Sequence, residues 1–136
     1  MPTMEKVTAG GKVLALLIRS SVKVDKTEFF SPQDYPLQVG IHRRNEGDEF
    51  APHIHKPVER TIHTTQEMLY VKMGKIRIVF IDEQGNPLKM KILNEGDMIL
   101  FVEGGHGIKV LEDNTEILEV KQGPYMGTDI DKVKFK

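Results

Sequence analysis

From Val13 onward, apolar positions recur mostly every second residue, the spacing of a pleated strand rather than a helix. In Glu67-Met68-Leu69-Tyr70-Val71-Lys72-Met73, the set Glu67, Leu69, Val71 and Met73 falls on one face. Met68, Tyr70 and Lys72 fall on the other. Gly74-Lys75 turns the chain into Ile76-Arg77-Ile78-Val79-Phe80-Ile81, whose β-branched residues fit a pleated surface. Asp82 to Pro87 has turn chemistry, and Leu88 to Leu93 alternates cleanly after it. Glu95-Gly96-Asp97 turns again into Met98 to Val102. Gly107 to Leu111 and Thr115 to Gln122 predict two further strands, and Thr27 to Ser31 and Pro36 to Arg44 read as extended. The unbroken run Val13-Leu14-Ala15-Leu16-Leu17-Ile18 predicts a strand covered on both faces. No window of helical length carries a 3.6-residue stripe. Short strands with a turn signal every ~8–12 residues predict an all-β sandwich or closed barrel.

A chain of 136 residues suits one domain, and no linker or internal repeat divides it. The expected layout is a single domain over 1–136, with a loose N-terminal arm at 1–12, a core at about 37–122 and a tail beginning at Gly123-Pro124. The run Val13 to Ile18 is too short to span a bilayer, which takes about 20 residues. Arg19 ends it and no small-x-small site follows, so a secretory leader is not expected and a cytoplasmic location is. Charge is balanced, 19 Lys+Arg against 20 Asp+Glu, which excludes the cation surplus of a nucleic-acid binder or polybasic membrane protein. With 0 Cys, disulfide scaffolds, thiolate metal sites and cysteine nucleophiles are excluded. The 7 Met are scattered among strands and read as core filling.

The histidines carry the candidate chemistry. His53 and His55 are two apart, so on a strand both imidazoles would point to one face, as a chelating pair needs. Glu67 shares the face of Leu69 and Val71. His106 lies in Gly104-Gly105-His106-Gly107, where glycines allow tight bending around the imidazole. Three neutral imidazoles and one carboxylate would suit a first-row divalent ion with positions left open for water or substrate.

Gly47-x5-His53-x-His55, followed by Glu67-x6-Gly74, resembles the first cupin motif, and Gly96-Asp97 through Gly104-Gly105-His106 resembles the second. The resemblance spans about residues 37–122 and implies a double-stranded β-helix, or jelly-roll, barrel. It also implies one divalent transition metal (Fe, Mn, Ni, Co or Zn) held by His53, His55, Glu67 and His106. The sequence departs from the family pattern between His55 and the carboxylate, where Lys56 to Gln66 intervene. Glu59 keeps the family's spacing from His55, but its seventh successor is Gln66 rather than Gly. Glu67 heads a strand and keeps its spacing to Gly74, and so is preferred as ligand. In the second motif Val102 replaces the usual Pro, and Val110 stands where Asn is common. The tail of the pattern, Glu119 to Tyr125, resembles small bacterial cupins of unassigned role.

The resemblance implies a small polar substrate, such as a sugar or sugar phosphate, and isomerase-type Lewis-acid chemistry. Fe(II) dioxygenation, metal-free acid/base chemistry on a histidine, and a non-catalytic binding module are the alternatives. Glu67 is the expected proton-moving group. His63 and Arg60, in the insertion, are the further catalytic candidates, Arg60 as an anion holder. Lys121 is a second anion candidate, and Tyr125 could cover the barrel mouth. Arg43-Arg44 and His42 read as strand-face residues. A homodimer is expected, with the apolar Val13 to Ile18 strand as docking element.

Overall fold

The computed structural model describes residues 4–135. Its strands in chain order are β1 (Glu5–Ala9), β2 (Lys12–Ile18), β3 (Thr27–Phe29), β4 (Gly40–His42), β5 (Glu67–Met73), β6 (Lys75–Ile81), β7 (Pro87–Asn94), β8 (Met98–Phe101), β9 (Gly105–Val110) and β10 (Glu116–Lys121), followed by one helical turn, α1 (Thr128–Asp131). All pairings are antiparallel. One sheet has the order β1-β2-β8-β5-β10, a second β7-β6-β9, and β3-β4 forms a separate ribbon.

The two larger sheets bury their facing sides against each other. Leu69 and Val71 of β5, Ile99 and Phe101 of β8, and Ala15 and Leu17 of β2 meet Ile76, Ile78 and Phe80 of β6. Leu69 and Val71 share the face read from the sequence, and burial alternates along β5 as far as Val71 and throughout β6. The opposite side of the larger sheet has its own apolar cover. Leu16, Leu100 and Met68 pack under Tyr35, Leu37 and Val39 from the segment between β3 and β4. Cover on both sides explains why β2 is apolar without alternation.

At the start of β8, Asp97 closes the fold. Its carboxylate accepts from the backbone N–H of Ser20 and Asn94, both at 2.8 Å, and from Arg19 Nη1 at 3.1 Å. Arg19 also donates to Glu5 at 3.0 Å, tying β1, β2 and β8 together. Gly74, at φ 94°, makes the tight turn from β5 to β6, where a side chain would collide with Thr115.

The chain is therefore all-β, as its periodicity predicts, but strand pairing does not close into a barrel. Among the described residues, β9 and β10 are each paired along one edge. Three further expectations are corrected. Residues 1–12 are not a loose arm throughout: Glu5–Ala9 pairs with β2 through a turn at Gly10-Gly11, while residues 1–3 lie outside the described range. Val13 to Ile18 is not a docking element, because β2 is hydrogen-bonded between β1 and β8 and its apolar faces are covered. His53 and His55 are not on a strand, since residues 43–66 carry no regular pairing. Gly47, Pro52 and Pro57 account for this locally. Proline lacks the N–H a ladder needs and restricts the residue before it. Among the described residues, no helix is long and apolar enough to cross a membrane.

Candidate functional site

Glu67 and His106 meet where the two sheets come together. Glu67 heads β5, opposite Phe101 of β8 on one side and Lys121 of β10 on the other. It sits on the inner face with Leu69 and Val71 and is buried. His106 is the second residue of β9 and pairs with inward-facing Phe80 of β6. Its Nε2 stands 2.7 Å from Glu67 Oε1.

Phe101 fixes the imidazole plane. The two rings are stacked, with centroids 3.7 Å apart and planes within 6° of parallel. Phe80 supports Phe101 from beside it at 6.1 Å. The glycines around His106 have two separate tasks. Gly104, at φ 81°, turns the chain out of β8. Gly105 and Gly107 lie within β9, where added Cβ atoms would come within 2.6 Å of Ile81 Cγ1 and 3.2 Å of Val79 Cγ1. Their small size, more than a bend around the ring, lets β9 lie close to β6.

The hydrogen bond from His106 holds the Glu67 carboxyl below its ordinary value, with the positive fields of Lys121 and Lys132 acting in the same sense. Burial opposes this but is the weaker effect. An ionised carboxylate has acceptors only, so His106 Nε2 carries the hydrogen and donates it. In the neutral imidazole, Nδ1 then holds the free lone pair.

This pair lines a cavity of about 680 Å³ that runs past Thr65, Glu103 and Lys121 to the C-terminal segment Asp131–Phe135. The volume falls in the ordinary range for a small-molecule site, about 300–1,000 Å³. Lys121 Nζ lies 3.5 Å from Asp131 Oδ2 and 5.1 Å from the Tyr125 ring centroid, so the tail is tied across the cavity side of β10.

The other candidates lie elsewhere. Residues 42–65 are exposed throughout, and they include His53, His55, Glu59, Arg60 and His63. The His53 and His55 rings contact edge to face at 5.0 Å, and His53 Nδ1 bonds to Ala51 O at 2.7 Å. His42 bonds Thr27 Oγ1 on the ribbon, and Arg44 reaches the same hydroxyl and the Phe50 ring. Of the four expected metal ligands, one chain thus brings together Glu67 and His106. Among the described residues, no group of three or more His, Cys, Asp or Glu is placed to hold a metal ion. A catalytic metal usually takes three protein ligands, one more than Glu67 and His106 supply.

Phe101, Lys132 and Thr65 were not singled out by the sequence. Phe101 alone had a signal, sharing the inward face of Ile99 at the last position of β8. No family model matches the chain, and no curated protein or solved structure matches it either.

Proposed function

We propose that the protein binds a small polar molecule carrying an anionic or carbonyl group and moves a proton on it, with His106 as the acid–base group. The observation that carries this reading is the 2.7 Å Glu67–His106 bond at the wall of a ligand-sized cavity. A carboxylate bonded to one ring nitrogen fixes the tautomer and orientation of the imidazole, and the other nitrogen exchanges protons with the ligand. Glu67, held ionised, acts here as the positioning group rather than the base. Lys121 and Lys132 supply positive potential to the same space, which favours an enediolate, carboxylate or phosphate over a neutral ligand. The cupin resemblance of the sequence agrees with sugar or sugar-phosphate substrates.

Proton transfer at the carbon next to a carbonyl leaves a trace that needs no knowledge of the product. The abstracted proton exchanges with solvent before one returns, so deuterium from D₂O enters the substrate. Sugars and sugar phosphates that raise the melting temperature should be incubated in D₂O and followed by proton NMR. Wild-type protein should catalyse incorporation, and His106→Asn should slow it by about 10²–10⁴-fold, the usual contribution of a general acid–base group. A ligand that binds but never exchanges would overturn the catalytic reading and leave a binding module.

One observation favours a second reading, in which Glu67 and His106 are two ligands of a divalent ion. An imidazole and a carboxylate are donor types that such ions accept, and the fold brings these two within 2.7 Å of each other. This reading requires further ligands that do not come from the same chain as it is folded here.

A further inference from the structure

Two features of the molecule are incomplete, and they match. The first is the open side of the sandwich. Residues paired across adjacent strands share a face, so Ile108, opposite Ile78, and Val110, opposite Ile76, point to the core side of β9. Ile76 and Ile78 are fully buried, yet Ile108 and Val110 are 42% and 53% exposed. On β10, Ile117 packs against the core, while Glu119, opposite buried Leu69, is exposed. Among the described residues, both strands also have an unpaired edge, which natural sheets seldom leave long and apolar.

The second is the arm formed by residues 43–65. Phe50, Ile54, Val58 and Ile62 are exposed along it, Ile54 at 91%. The arm is clamped at both feet. At one end, Arg43 N–H bonds Lys26 O, and Phe50 packs on His42. At the other, Gln66 N–H donates to Gln122 Oε1 at 2.7 Å and Gln122 N–H returns to Gln66 O. Between the feet, the arm presents to water the apolar side chains that the open side of the sandwich lacks.

We infer that the arm of each chain seats on the free edges of β9 and β10 of a second copy, in a two-fold exchange that closes both sandwiches. An exchange of this kind is isologous, each copy giving and receiving the same surface. A standard interface uses about 20–30 residues a side, the length of this arm. Pro52 and Pro57 are compatible with it, because a strand added at an edge tolerates proline on its solvent side. The inference stands on strand edges and exposure and does not depend on the chemistry assigned to His106.

Sedimentation equilibrium of the full chain at micromolar concentration tests it. The expected mass is twice the 15.5 kDa chain. Ile54→Asp alters a side chain with almost no contact in its own chain, so it should preserve the fold by circular dichroism and halve the mass. Ile108→Asp, on the receiving edge, should also halve the mass. A monomeric wild type overturns the inference. A dimer that both substitutions leave intact overturns it equally, because its interface then lies elsewhere. Deuterium incorporation can fail while the dimer persists, so the two proposals fall separately.

Discussion

Asp97 and Glu67 are both buried carboxylates at opposite ends of β8, and their surroundings differ in kind. Asp97 accepts from two backbone N–H groups and from a guanidinium that also bonds Glu5. Its bonding capacity is spent on joining three strands. Among the described residues, the side-chain hydrogen-bond partner of Glu67 is the imidazole of His106, and Glu67 lines a cavity. Buried carboxylates that are saturated act as structural ties, whereas one left partly unsatisfied beside open space is available to a ligand. Burial and charge alone would have treated the two residues as equivalent.

Replacing each carboxylate separates the two roles, and the largest effect is expected at the tie. Asp97→Ala leaves two backbone donors and Arg19 without their acceptor, and should lower stability by about 3 kcal/mol in urea denaturation. A loss below about 1 kcal/mol would erase the contrast. Glu67→Gln keeps the shape of the side chain and should cost about 1 kcal/mol or less, with its main consequence on proton transfer.

Acidity sharpens the contrast further. Glu67 is depressed in the folded state, so ionised Glu67 stabilises the fold above its unfolded value, about 4.3. That contribution fades as pH falls through the lower folded value. The stability gap between wild type and Glu67→Gln should hold steady above about pH 5 and shrink in acid. A gap that widened on acidification would reverse the assignment of the hydrogen bond. The smallest effect is expected at an exposed pair such as Lys75–Glu112, 3.6 Å apart with side chains 39% and 51% exposed. Lys75→Ala should change stability by less than about 0.5 kcal/mol.

Several strands could be read from the sequence because alternation often reports which face meets the core. β7 reverses it: Leu88, Met90 and Ile92, its apolar set, are exposed, while Lys89 and Lys91 stand opposite inward Phe80 and Ile78. β5 and β6 follow it for Glu67, Leu69 and Val71 and for Ile76, Ile78 and Phe80, although Met73, on the same face at the end of β5, is exposed. Glu67 was legible for the same reason, and His106 because of its glycine neighbours. The location of His53 and His55 was not. A two-residue spacing specifies a shared face only on a strand, and prolines at 52 and 57 break the local pattern. The ionic tie of Lys121 to Asp131 was hidden as well, since it depends on where a short tail returns after the last strand. Whether a sheet closes is likewise outside the reach of alternation, which fixes faces and leaves edges undetermined.

The pairing of β2 with β8 bears on how the chain leaves the ribosome. β2 can form a hairpin with β1 at once, but the bond from Ser20 to Asp97 joins residues 77 apart. The most apolar strand of the molecule therefore waits, with one edge bare, until nearly three-quarters of the chain has been made. Contacts this distant in sequence form slowly, and an unpaired apolar strand is open to wrong partners meanwhile. Synthesis and not the finished fold is then the stage at which this protein is most prone to aggregate, and slower translation before residue 98 would lengthen the exposure.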